Sequence, residues 1–156
     1  MSIEGYAEAR KKYDEMLEKF KKEKEQFFAA AKNDLSALLV MEMEHAPASV
    51  HGFRWRQYTP SFNDGDPCVF EVHSPELIDE HGGEISFYKA YEWASDRKKI
   101  RAKGATDEQW SGFEFSDRIT KLIESQPEEM LEDVYGNGST VTVTRSGVDV
   151  EEYYDY

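Results

Sequence analysis

The side chains best suited to chemistry lie between His51 and His73. Cys68 is the only cysteine and has a histidine on either side in sequence, the raw material of a Cys-His nucleophile. Asp64, Asp66 and Glu71 add carboxylates of the kind that hold a divalent cation or drive hydrolysis. The spacing favours neither chemistry. Placing Gly65 at the sixth position of an EF-hand loop puts Pro60 and Phe62 where the first two acidic ligands belong. Cys68 follows Asp66-Pro67 at the head of an apolar run, where a small buried apolar side chain is expected. His45, His51, His73 and His81 have no ligand spacing, and the chain contains no Walker loop, G-x-G-x-x-G, G-x-S-x-G, H-E-x-x-H or C-x-x-C. The expectation is therefore a chain without catalytic residues, metal or cofactor. A metal-binding or hydrolytic domain centred on the Asn63 to Asp66 loop is the alternative.

The element that would position those groups is a β-hairpin. Phe53, Trp55 and Gln57 alternate with Arg54, Arg56 and Tyr58, the period of a strand with one buried face. Phe70 and Val72 alternate likewise with Val69, Glu71 and His73. Between them Asn63-Asp64-Gly65-Asp66 supplies turn chemistry, stiffened by Pro60 and Pro67. The signature W-x-Q-Y-T-P-x-F-N-D-G-D-x-C is formed by Trp55, Gln57, Tyr58, Thr59, Pro60, Phe62, Asn63, Asp64, Gly65, Asp66 and Cys68. It resembles a motif of small uncharacterised bacteriophage-type proteins. That resemblance covers about a tenth of the chain, implies a phage context and assigns no catalytic residue.

Residues from about Ile3 to Met43 read as one long helix or two nearly collinear ones. Tyr6, Tyr13, Phe20 and Phe27 recur every seven residues; Ala9, Met16 and Ala30 form a second seam that Glu23 interrupts. The apolar positions then shift to Ala31, Leu35, Leu38 and Leu39, as after a four-residue stutter. A helix of this length reaches about 60 Å, so its first half is expected to project. It either lies along the domain or pairs with a second copy, giving a structural or assembly protein as a further alternative. Pro47 ends it.

Ser74-Pro75 predicts a short helix, and Ile85 to Gly104 a longer one whose last turns carry Arg97, Lys98, Lys99, Arg101 and Lys103. That cluster either complements a helix dipole or docks an acidic surface. Thr106 with Gln109 predicts a capping box for a helix interrupted near Gly112. Ser125 with Glu128 predicts a second for a short helix ending at Gly136. Val141 and Val143, then Val148 and Val150, alternate with polar residues around Ser146-Gly147 as a second hairpin. The fold class expected is α+β: a long N-terminal helix over residues 1–45, then an α+β domain over residues 46–156. That domain would hold about four antiparallel strands in two hairpins and two to three further helices.

With 156 residues, 39% of them hydrophobic, the chain can bury a core despite 33% charged residues. A single cysteine permits no internal disulfide, and no stretch approaches a membrane span. A cytoplasmic protein is expected, in the host cytoplasm if phage-encoded. A formal net charge of −13 argues against unassisted binding to nucleic acid or an anionic membrane, whose surfaces would repel it. From Glu124 to Tyr156 nine acids face one base, Arg145, a net of −8. The candidate partner-binding residues are therefore Glu128, Glu129, Glu132 and Asp133, with Asp149, Glu151, Glu152, Tyr153, Tyr154 and Asp155. Carboxylates interleaved with tyrosines suit a basic groove that ordinarily holds phosphates. The function expected is an acidic protein-binding module, an inhibitor of a host nucleic-acid-handling or defence protein in the manner of a DNA mimic or anti-CRISPR protein.

Overall fold

The computed structural model describes residues 3–61 and 65–154. The fold is α+β. Helix α1 (Ile3–Glu42) opens the chain and is continuous. A 3-10 turn (Met43–His45) follows, and Ala46, held extended ahead of Pro47, ends the helical run. Leu35, Leu39 and Met43, four apart on one stripe, are buried, so the last turns of this helical run belong to the core.

Strand β1 (Gly52–Tyr58) is the centre of the sheet. On one side it pairs along its length with β7 (Ser139–Thr144), which pairs in turn with β8 (Gly147–Glu152). On its other side run β2 (Glu71–Val72) and β3 (Glu76–Ile78), and β4 (Glu84–Ile85) closes that edge. All these pairings are antiparallel. The two expected hairpins are present, and four of the eight strands among the described residues lie outside them.

The helix expected at Ser74-Pro75 is instead a break between β2 and β3. Gln57 pairs with Val72 and Arg54 with Glu76, so β1 spends one residue fewer than its neighbour across the gap. The extra residue is a bulge at Pro75, which has no N–H to give to the ladder. A Ser-Pro step reads locally as a helix start, but Leu77 and Ile78 are buried and β1 offers them a partner strand.

The helix expected from Ile85 to Gly104 is a second correction. A 3-10 turn (Tyr88–Ala90) leads into a separate hairpin, β5 (Tyr91–Trp93) with β6 (Lys99–Arg101). Tyr91, Trp93, Lys99 and Arg101 occupy paired positions and share one face, the period-two signal that a crowd of charges conceals. The basic cluster consequently sits on an extended ribbon, and the dipole of a helix end does not account for it.

Helix α2 (Asp107–Glu124) starts at the expected capping box: Gln109 N donates to Thr106 Oγ1 at 3.1 Å, and Thr106 N to Gln109 Oε1 at 2.9 Å. It passes Gly112 without interruption, the missing Cβ admitting the Phe87 ring. Helix α3 (Glu128–Tyr135) has no side-chain cap; Ser125 closes α2 and donates to Leu122 O at 2.7 Å.

All three helices cover one face of the sheet. Phe115, Ile119 and Ile123 of α2 and Leu131, Val134 and Tyr135 of α3 meet Phe53, Trp55, Val141 and Val143. Phe115 approaches Phe53 edge-on at 6.1 Å, and Tyr135 approaches Trp55 at 5.7 Å. Each fully buried large side chain contributes about 2 kcal/mol of transfer free energy. The other sheet face carries Arg54, Arg56, Thr140 and Thr142, half-buried. No helix among the described residues is long and apolar enough to cross a membrane.

Candidate docking surfaces

Cys68, expected inside, is exposed. The chain around it, from Gly65 to Val69, lies open to solvent. His73 stacks on Tyr58 with ring centroids 4.5 Å apart, so its ring is engaged as a flat surface. Asn63 and Asp64, central to the metal alternative, lie outside the described residues. Among the described residues no three His, Cys, Asp or Glu side chains are grouped closely enough to hold a cation.

The acidic C-terminal residues are divided by the sheet. Directly opposed residues of an antiparallel ladder point to the same side. Asp149 opposes Thr142, which opposes Arg54, and Arg54 opposes Glu76. Glu151 lies in the next such row with Thr140 and Arg56. Both carboxylates therefore belong to the open face, which also carries two guanidinium groups. Arg54 Nε donates to Glu76 Oε1 at 2.5 Å, and Arg56 reaches the same carboxylate at 3.5 Å. Glu152 falls on the opposite, helix-bearing side, opposite Ser139.

Tyr153 is half-buried: it packs on Tyr58 at 4.9 Å, and the Arg56 guanidinium sits 5.3 Å from its ring. It covers the end of the central strand on the open face. Tyr154 is exposed and donates to Glu152 at 2.9 Å; Asp155 lies outside the described residues. The arginines of β1 thus give the open face mixed charge, a consequence of register that charge counting along the sequence does not register.

The α3 acids are a different case. Glu128, Glu129 and Asp133 are exposed and Glu132 half-buried, and none is ion-paired among the described residues. Three carboxylates elsewhere are engaged. Glu42 is held below the ordinary glutamate range by the Arg118 guanidinium, which donates to it through Nε and Nη2. Asp117 is lowered by the Lys121 ammonium at 2.7 Å, with Lys99 behind it at 3.7 Å. Asp79 is lowered by the amides of Gly83 and His81.

A row of exposed apolar side chains lies on α1. Every residue from Ile3 to Phe27 is exposed, and the aromatics spaced by seven, Tyr6, Tyr13, Phe20 and Phe27, are each 56–59% exposed. Met16 and Leu17 widen the stripe. At its lower end the stripe runs into a groove of about 450 Å³ between α1 and the α2–α3 corner, lined by Phe27, Ala31, Leu38, Leu122 and Met130. The flanks are basic. With the tyrosines and phenylalanines at the first heptad position, Arg10, Lys12, Lys19 and Lys24 take four of the six places from 10 to 26 that border a helix-helix seam, Leu17 and Gln26 the other two. Glu23, the misfit of the second seam, pairs with Lys19 at 3.9 Å, and Arg10 pairs with Asp14 at 3.2 Å.

The chain matches no protein family, no curated protein and no solved structure.

Proposed function

We propose that this chain is a protein-docking module whose principal docking element is the projecting part of α1. The carrying observation is an aromatic stripe, spaced by seven, on a helical segment whose described residues are all exposed as far as Phe27. A lone helix in water gains little from propensity, and most helical stability comes from burying an apolar face. A contiguous exposed stripe of this kind marks an interaction site.

The flanks select the partner. Parallel or antiparallel pairing with a second copy sets Arg10, Lys12, Lys19 and Lys24 against one another, a repulsive arrangement. A helix of another protein with apolar core positions and acidic flanks fits instead. The test uses a designed peptide with leucine at both core positions and glutamate at both flanking positions. It should bind the full chain, and Tyr13→Glu with Phe20→Glu should abolish binding. A lysine-flanked peptide that binds equally well would remove the basis for the reading.

A second reading rests on the unpaired α3 carboxylates. Glu128, Glu129 and Asp133 form an acidic helix face that suits a basic groove, and inhibition of a nucleic-acid-handling or defence protein is the function such a face would serve. Neutralising the three to Gln and Asn should lower the association rate with such a partner and flatten its salt dependence; unchanged kinetics would contradict it.

A further inference from the structure

The hairpin β5–β6 and helix α2 enclose an open cleft of about 640 Å³. Its walls are aromatic: Trp93 from β5, and Trp110 and Phe113 from α2. Its rim carries Arg97, Lys98 and Lys99, three consecutive cations in a protein of net −13, and its α2 wall carries Glu114 and Asp117 beside Arg118 and Lys121. Lys99 stands at the centre. Its ammonium lies 5.2, 5.4 and 5.3 Å from the rings of Tyr91, Trp93 and Phe113, a cation fixed by three aromatic faces. Arg97 takes a left-handed conformation (φ 62°) at the hairpin turn and has no carboxylate partner among the described residues. Lys98 beside it reaches Asp96 at 3.9 Å. Asp117 on the far wall is neutralised by Lys121 and Lys99. Trp93 remains 59% exposed, a bare indole next to unspent positive charge.

We propose that this cleft binds a short acidic segment of a partner protein, with carboxylates on Arg97 and Lys98 and an apolar or aromatic side chain against Trp93. The volume lies within the range of ligand-binding clefts. Charge decides between acidic peptide and nucleic acid. Arg118 and Lys121 on α2 are paired with Glu42 and Asp117, so the uncompensated positive charge lies on the ribbon, and screening limits its reach to about 8 Å at physiological salt. A nucleic acid carries a charge every few ångströms and extends past the ribbon into the field of a strongly acidic protein. A peptide acidic over only a few residues meets the cations and ends before that.

The test uses the full chain and three fluorescein-labelled probes: an octapeptide alternating Glu and Tyr, its Gln-Tyr counterpart, and octathymidylate. The Glu-Tyr peptide should bind with quenching of tryptophan fluorescence and weaken as salt rises. Lys98→Glu combined with Arg97→Asn, a residue that tolerates the left-handed turn, should weaken it by about tenfold or more. Trp93→Ala should weaken it while leaving the circular dichroism spectrum of the fold unchanged. Tighter binding of octathymidylate would make the cleft a nucleic-acid site and overturn the proposal. So would equal binding of the Gln-Tyr peptide, or no binding of any probe.

Discussion

Trp55 Nε1–H donates to Gln57 Oε1 at 2.9 Å, with both side chains sealed inside the core. The amide of Gln57 continues the network, its Nε2 donating to Leu131 O at 2.8 Å and to Gly136 O at 2.7 Å. One side chain thus ties the central strand to the last turn of α3 and to the glycine beyond it. Gln57→Leu strips partners from two buried polar groups and from the part-buried Gly136 O, at roughly 1 kcal/mol for each buried one, a loss of about 2 kcal/mol. Urea unfolding followed by tryptophan fluorescence measures it; a loss below about 1 kcal/mol would show that water reaches these groups.

Gly112→Ala should destabilise despite the better helix propensity of alanine, worth about 1 kcal/mol. The added Cβ would lie 2.5 Å from the Phe87 ring, which is packed against the core. A net loss of about 1–2 kcal/mol is expected from the forced shift. Phe87→Leu in the same chain should recover part of it. A gain in thermal midpoint for Gly112→Ala alone would mean that Phe87 moves without cost.

Acid should unfold this protein partly through Glu42. Hydrogen bonding from Arg118 holds its carboxyl below the ordinary value of 4.5, so the folded state takes up a proton less readily than the unfolded chain. The stabilisation is complete above that value and is lost as pH falls through the folded one. Asp117, lowered mainly by Lys121, adds to the same limb below its ordinary 3.8. Glu42→Gln should flatten the dependence of stability on pH below 4.5 and leave the neutral-pH slope unaltered. An unchanged acid limb would contradict the assignment.

Removal of residues 1–27 should leave the thermal midpoint of the body unchanged, since none of the described residues in that stretch is buried. Helical ellipticity should fall in proportion to the length removed. A lowered midpoint would show that the stripe packs on its own fold in solution.

The long helix, the central strand and the final hairpin were legible because each repeats its period several times. Tyr6 to Phe27 repeat by seven, and Phe53 to Tyr58 and Val141 to Val150 alternate by two. The middle of the chain was not. Glu76–Ile78 and Lys99–Arg101 are strands of three residues, too short to display a period, and their pairing partners supply what propensity does not. The acidic surface was legible as composition and not as geometry. Only the pairing of β8 with β7, and of β7 with β1, shows that Asp149 and Glu151 share a face with Arg54 and Arg56 while α3 lies on the other side.

Sedimentation equilibrium of the intact chain, alone and with the glutamate-flanked helical peptide, tests the docking role of α1 most directly. The expected result is a monomer alone and a one-to-one complex with the peptide, lost in the Tyr13→Glu, Phe20→Glu variant. A dimer in the absence of peptide that the same substitutions dissolve, or a chain that stays monomeric in its presence, would contradict it.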